Sequence, residues 1–199
     1  MRFFVVAITL LLIPATACGG PPDLATDDGV RAAFKKATGK DLHEDDCIGR
    51  PGVKDVVVVG SFAHDRGCDL DGGFVGGTWM DRKAMGHKGL AALGWAEMDA
   101  KARAELATQW SHRVLYHWGG SVVRKTEKAF ELEDTPAFTA PSTATDGDAV
   151  LVTFWVEEPP GMQDIDIFEQ VELRFAADGA ITRSKKGSFS VDGSRVRGR

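Results

Sequence analysis

Apolar residues recur with a helical period in two stretches of the chain. The first runs from Asp28 to Thr38, and its apolar residues share one helix face: Val30, Ala33, Phe34 and Ala37. Asp27 or Asp28 can cap the start of such a helix, and Gly39 can end it. The pattern predicts a short N-terminal helix.

The second and longest amphipathic pattern runs from Trp95 to Trp118. Apolar residues recur there at every fourth position: Met98, Ala102, Leu106, Trp110, Val114 and Trp118. Most of the charged residues between them fall on other faces of a helix. Gly119 and Gly120 follow as a strong stop signal. We therefore predict one long amphipathic helix over this stretch.

Runs of β-branched and aromatic residues predict strands on both sides of the long helix. Before it, Val53–His64 holds four consecutive valines, and Phe74–Asp81 is predicted as the return strand of a hairpin with a long, glycine-rich connection. After it, strands are predicted over 121–133, 149–158, 164–179 and 180–191, with a hairpin turn signal at Asp178-Gly179 leading into the last. Residues 134–148 are rich in Pro, Ser, Thr and Gly and are predicted to be a loop.

The strand that begins at Asp164 alternates most clearly. Its apolar residues point to one side: Ile165, Ile167, Val171, Leu173 and Phe175. Its polar residues point to the other: Asp166, Gln170, Glu172 and Arg174. This alternation is typical of a strand with one buried face.

The order of these elements predicts the fold class. Strands joined as hairpins pair antiparallel, so we expect an α+β fold in which a single, mostly antiparallel curved sheet is packed by the long helix and the short N-terminal helix. This element order is similar to that of cystatin-like and NTF2-like folds. Because the chain has 199 residues, it is long enough for one globular domain.

The N-terminus has the features of an export signal. Phe3–Ile13 is an almost unbroken apolar run behind Arg2, and its eleven residues are too few for a membrane-spanning helix. Pro14 ends the run, and Ala15-Thr16-Ala17 supplies the small residues that signal peptidases require. We therefore predict that residues 1–17 are a signal peptide.

The motif "ATAC", which ends at Cys18 and is followed by two glycines, resembles the lipobox of bacterial lipoproteins. The resemblance implies that Cys18 becomes the first residue of the mature protein and carries acyl chains, such as palmitate. It implies a membrane-anchored protein of the bacterial cell envelope. The alternative is cleavage by the general signal peptidase, which would give a soluble secreted or periplasmic protein.

The three cysteines of the chain support the lipoprotein interpretation. If Cys18 carries lipid, Cys47 and Cys68 remain as an even pair. An exported domain lies in an oxidising compartment, so we predict a disulfide between these two cysteines. Closing a loop of about twenty residues stabilises a fold by about 3 kcal/mol.

The predicted organisation has four parts. The signal peptide is followed by a lipidated tether over residues 18–27, which contains Gly, Pro and acidic residues without apolar periodicity. A single globular domain follows over 28–191, and a basic flexible tail ends the chain over 192–199. The net charge of −5 argues against nucleic acid as a partner.

Two histidines on the predicted long helix are the main candidates for chemistry. His112 and His117 are five positions apart, which rotates them by about 140° around a helix, so a shared metal ion is not predicted. The chain contains no recognisable phosphate loop, nucleophile elbow or metalloprotease motif. No metal or cofactor is therefore predicted.

Tryptophans suggest a binding site instead. Trp110, His117 and Trp155 are the candidate lining of a ligand pocket, although burial in the core is the competing interpretation for the tryptophans. The sequence thus favours a non-enzymatic, lipid-anchored envelope protein that binds a protein partner or a small ligand. The alternative is an envelope enzyme of hydrolase type that uses His112 or His117 with acidic neighbours.

Overall fold

A computed structural model describes residues 21–63, 67–115, 121–123, 139–158 and 165–192 of the chain. The predicted signal peptide, Cys18 and the last residues of the basic tail lie outside these ranges. Within them, no helix is both long enough and apolar enough to cross a membrane.

Two antiparallel sheets form the framework, which makes the protein a mixed α+β fold. The first sheet has four strands in chain order: β1 (Cys47–Gly49), β2 (Val56–Ala63), β3 (Gly67–Val75) and β4 (Thr78–Asp81). The second has five: β5 (Ser121–Val123), β6 (Ser142–Asp146), β7 (Ala149–Glu158), β8 (Ile165–Phe175) and β9 (Ile181–Asp192). In the second sheet, β5, β7, β8 and β9 are neighbours in that order, and β6 also pairs with β7.

The expectation of one curved sheet is therefore wrong, and the arrangement does not match a cystatin-like or NTF2-like fold well. The strands before and after the predicted long helix form separate sheets, whose buried faces share one core. Element order and hairpins alone predict antiparallel pairing but do not distinguish one sheet from two.

The helices lie at the N-terminus and between the sheets in sequence. They are α1 (Asp27–Thr38), α2 (Arg82–Ala84), a first π turn (Met85–Gly89), α3 (Leu90–Ala92), a 3-10 turn (Trp95–Glu97), α4 (Ala100–Gln109) and a second π turn (Trp110–Leu115). The α1 helix agrees with the prediction to within one residue. Thr26 caps it by accepting a hydrogen bond from the Gly29 amide, and Gly39 ends it in the left-handed conformation with φ of 74°.

The first sheet is buried on both faces. Val57, Val59 and Phe74 pack against α1, in a cluster with Val30 and Phe34. The alternate residues of the same strands pack into the main core, which also contains the helical segments and the second sheet: Val56, Val58, Leu70 and Val75. Burial on both sides explains why β2 has a continuous apolar run rather than an alternating one.

The predicted long helix starts later than expected. It begins at Ala100 because the Asp99 side chain accepts a hydrogen bond from the Ala102 amide and caps the helix there. Trp95 lies in the preceding 3-10 turn, fully buried, and its indole N–H donates to the Ala176 carbonyl at 2.8 Å. The predicted end of the helix lies outside the described residues.

The first hairpin also differs from the prediction. Cys68 lies within β3 rather than in a long connection, and the turn to β4 is made by Gly76 and Gly77, with φ of 58° and 80°. Gly72 lies inside β3, where a Cβ atom would come within 2.3 Å of the Met80 carbonyl oxygen. The glycine pair at 72–73 therefore permits close strand packing rather than a turn.

Two further differences concern the second sheet. Residues 142–146, predicted as part of a loop, form the exposed strand β6 on β7. In β8, the predicted apolar side is buried from Val171 to Phe175, but Ile167 is 40% exposed and Phe168 only 1%. Phe168 lies on the side of β8 that carries the polar residues Gln170 and Glu172. The buried face of β8 therefore changes along the strand.

Candidate functional site

A cavity of about 410 Å³ lies where the loop before β2, the β3–β4 turn, the end of α3 and the helix α4 meet. Its apolar lining comes from six residues: Val53, Ala92, Leu93, Met98, Ala102 and Leu106. Its polar lining comes from four: Lys54, Asp55, Glu105 and Gln109. The volume falls in the range of about 300–1,000 Å³ that is typical of small-molecule sites, and an apolar wall with a few polar groups is typical of their lining.

Asp55 holds an unusual backbone conformation at this cavity. Its φ is 59°, and among the described residues it is the only non-glycine with a positive φ. The preceding loop turns tightly, with the Val56 amide donating to the Val53 carbonyl at 3.2 Å, and the Gly76 amide donates to the Asp55 carbonyl at 2.9 Å. These bonds tie the strained residue to the β3–β4 turn, and residues held in such conformations occur preferentially at functional sites.

The polar side chains at the cavity make few contacts with other side chains of the described residues. Within the described ranges, the side chains of Lys54, Asp55 and Gln109 make no hydrogen bond or ion pair with other residues. Glu105 approaches Lys101 at 3.9 Å, in a pair in which both side chains are mostly exposed. These groups are therefore available to a ligand without breaking a strong internal contact.

A groove of about 680 Å³ adjoins the cavity, and the N-terminal segment Pro21–Ala25 contributes Pro21, Pro22, Leu24 and Ala25 to its lining. The two spaces share Val53, Asp55 and Gly76 as lining residues. Pro22 lies over the β3–β4 turn, because its Cδ is 4.0 Å from the position that a Cβ atom of Gly77 would take. The cavity and the N-terminal segment thus lie on either side of one turn.

Arg50 attaches this segment to the domain. Its guanidinium donates to the Asp27 carboxylate at 2.8 Å, to the Ala25 carbonyl at 3.0 Å and to the Leu24 carbonyl at 3.4 Å. Leu24 also packs against the core cluster beneath α1. The later part of the predicted tether is therefore packed on the domain from Leu24 onwards.

The residues predicted from sequence to line a pocket lie elsewhere. Trp110 is fully buried in the main core. Trp155 is 5% exposed and lies between Phe154 and Val156, which both belong to that core, so its side chain points to the opposite face of β7. The structure does not bring these two indoles together, and His117 lies outside the described residues.

His112 lies on the second π turn with its ring edge-on to Phe154 at a centroid distance of 5.2 Å. Across the described ranges, no three or more His, Cys, Asp and Glu side chains are grouped to hold a metal ion. The hydrolase hypothesis based on His112 or His117 remains a prediction.

The predicted disulfide between Cys47 and Cys68 is confirmed, with the two Cα atoms 6.2 Å apart. Cys47 pairs with Gly60 and Cys68 with Phe62, so the bridge joins the two strands that flank β2. It links β1 to the start of β3. The opposite end of β3 leads into the β3–β4 turn that lines the cavity. The bridge is thus part of the scaffold of the site.

Among the described residues, a clearly shifted pKa is found away from the cavity, at Glu169 on the second sheet. A hydrogen bond from Lys185 lowers the pKa of Glu169, opposed by partial burial and assisted by the charges of Lys185 and Arg183. The Glu169 carboxylate accepts from Lys185 at 2.6 Å and from Arg183 at 2.7 Å. This cluster stabilises the β8–β9 pair.

No protein-family model, curated protein or solved structure matches this chain.

The hydrophobic pattern of the chain does not indicate the cavity. It predicts a strand that begins at Val53, whereas Val53–Asp55 forms the tight turn that lines the cavity. The one available signal was the charged pair Lys54-Asp55 directly before the four valines, since charged neighbours interrupt a buried strand pattern.

Proposed function

We propose that this protein is a non-enzymatic, lipid-anchored protein of the bacterial cell envelope that binds a small ligand with an apolar part in the cavity beside α4. The observation that carries the binding role is that the cavity combines apolar walls with three polar side chains, Lys54, Asp55 and Gln109. Within the described ranges, these three make no hydrogen bond or ion pair with other residues. Support for the anchor comes from the apolar leader and from the lipobox-like "ATAC" that ends at Cys18. A second acyl chain makes such an anchor stable.

The anchor is tested by mass spectrometry of protein purified from membranes. We expect the mature chain to begin at an acylated Cys18 and to require detergent for extraction. A Cys18→Ser variant loses the lipid and leaves the membrane fraction, whereas a Thr16→Ala variant keeps a small residue before the cut and stays anchored. A mature chain with an unmodified Cys18 would show simple secretion instead.

The binding role is tested with a neutral apolar dye, 1-N-phenylnaphthylamine, whose fluorescence rises in apolar sites. We expect saturable binding by the unaltered protein and its loss in Ala102→Phe, because the larger side chain grows into the cavity from α4. Ala96→Phe is the matched control, since Ala96 is exposed on the 3-10 turn and does not line the cavity. Equal dye binding by the two variants would show that the cavity is not the site.

A further inference from the structure

We propose that the cavity holds the acyl chain of a single-chain phospholipid with an ethanolamine head group, taken from the membrane that carries the anchor. This inference rests on the proposed function and names the ligand of the same site. It follows from three properties of the cavity: its distance from the anchor, its apolar walls and the charges at its rim.

The distance from the anchor is limited by the chain itself. Only Gly19 and Gly20 separate Cys18 from Pro21, so the Cα atoms of Cys18 and Pro21 are at most about 11 Å apart even in a fully extended chain. From Leu24 onwards the chain is held by Arg50, and Pro22 lies over the turn that the groove shares with the cavity. An acylated Cys18 therefore keeps the cavity within a short reach of the lipid head groups.

The walls of the cavity suit one acyl chain. Leu93, Met98 and Leu106 are partly exposed at its surface and belong to three different segments, so they form an apolar cleft rather than a flat patch. The flexible thioether of Met98 adapts readily to an alkyl chain. At about 410 Å³ the cavity is near the lower end of small-molecule sites, which favours a single chain over two.

The rim distinguishes between head groups. Asp55 and Glu105 offer two carboxylates, which accept hydrogen bonds from a primary ammonium group. Lys54, next to Asp55, supplies one cation for the phosphate, and the Gln109 amide can bond to either part. With Lys101 3.9 Å from Glu105, the rim has two carboxylates and two cations nearby, so it offers an anionic glycerol phosphate head group no net attraction. Both charges of the zwitterionic head group find an opposite charge there, so the rim favours that head group.

Arg50 acts as a positioning residue for lipid capture, because it holds the N-terminal segment on the domain beside the cavity. It touches the N-terminal segment and Asp27, but it does not line the cavity beside α4. Its loss releases the segment from the domain without altering the cavity walls. Lipid capture from a membrane then becomes less efficient, while binding of a lipid supplied in solution is unchanged.

The experiment has two arms that use the whole mature protein, from residue 18 onwards. In the first arm, the lipidated protein is reconstituted in nanodiscs with equal amounts of phosphatidylethanolamine and phosphatidylglycerol, to which the two corresponding lysophospholipids are added. Native mass spectrometry then identifies the bound lipid. In the second arm, short-chain lysophosphatidylethanolamine is titrated in solution into the Cys18→Ser chain, with circular dichroism to verify folding.

We expect one bound lysophosphatidylethanolamine in both arms, with lysophosphatidylglycerol bound at least about tenfold more weakly. Asp55→Asn tolerates the left-handed conformation and lowers the affinity by about tenfold, and Glu105→Gln is the second rim variant if the first does not fold. Asp28→Asn, an exposed change on α1, is the matched control and has no effect. Arg50→Ala lowers occupancy in nanodiscs only.

Equal binding of the two lysophospholipids, or unchanged affinity in both rim variants, would overturn the lipid proposal. Retained binding of the apolar dye in that case would leave the proposed binding function intact. Loss of dye binding together with an unmodified Cys18 would instead contradict the proposed function itself.

Discussion

Gly89 lies directly against the indole of Trp110, so close that a Cβ atom at residue 89 would come within 2.7 Å of the ring. Both residues are buried, and each lies at the junction between a π turn and an α-helical segment. The contact joins the helical segments on the two sides of Trp95. It therefore sets the distance between α3 and α4, which both contribute residues to the cavity.

This contact predicts that a single methyl group added at residue 89 strongly lowers the stability of the fold. Gly89→Ala should destabilise the protein by about 1–3 kcal/mol, because the rigid indole cannot move away within a packed core. Gly86→Ala lies on the same π turn with nothing within 4 Å of its added Cβ, so it should be neutral or stabilise the fold by about 0.5–1 kcal/mol. Urea unfolding of both variants measures the difference. Equal midpoints for the two would show that the ring is not a steric limit.

The backbone of Asp55 predicts a second comparison. An alanine at φ of 59° is strained, whereas glycine adopts this conformation freely, so Asp55→Gly should be about 1 kcal/mol more stable than Asp55→Ala. The bond from the Gly76 amide to the carbonyl of residue 55 is present in both variants, so it does not contribute to the difference. Thermal unfolding of the two proteins tests this order, which would be reversed if the loop relaxed to a negative φ.

Sequence patterns located the elements in which periodicity and burial coincide. The α1 helix has its apolar face on one sheet, and β7 has the bounds that its β-branched run predicts. The pattern was misleading at the start of the predicted long helix, where Trp95 is buried but does not belong to α4. Asp99 caps α4 after Trp95, and the Trp95 indole N–H donates to the Ala176 carbonyl instead.

The candidate site was not predictable from periodicity for a different reason. Its walls come from a tight turn at Val53–Asp55, a glycine turn and one side of α4, which are distant in sequence. A cavity forms where segments that are distant in sequence leave unfilled space between them, and no local sequence pattern predicts such a space. The disulfide was predictable, because it depended on the parity of three cysteines rather than on geometry.

The disulfide predicts the stability of the first sheet. The bridge closes a loop with a sequence separation of 21 residues, so its removal should cost about 3 kcal/mol through the entropy of the unfolded chain. The double variant Cys47→Ser with Cys68→Ser measures this loss by denaturant unfolding under non-reducing conditions. Addition of a reductant should lower the stability of the unaltered protein to that of the double variant and leave the variant unchanged. A reductant effect of equal size on both proteins would contradict the assignment.

The Glu169 cluster predicts a pH dependence with a defined sign. The carboxylate is only 16% exposed and lies between Lys185 and Arg183, and the hydrogen bond from Lys185 is the largest cause of its lowered pKa. Because the pKa is lower in the folded than in the unfolded protein, the stabilisation is fully present above the ordinary value of 4.5 and is lost as the pH falls through the folded-state value.

Glu169→Gln should therefore be less stable than the unaltered protein at neutral pH, by about 1 kcal/mol because both cations are half exposed. The difference should shrink as the pH is lowered below the ordinary value of 4.5 and through the lower folded-state pKa, since protonation then removes the same contacts from the unaltered protein. Glu105→Gln is the control, because its side chain is 63% exposed and its pair with Lys101 is long at 3.9 Å. Denaturant unfolding across this pH range measures both curves. A constant difference between Glu169→Gln and the unaltered protein would mean that the carboxylate acts through packing rather than through its charge.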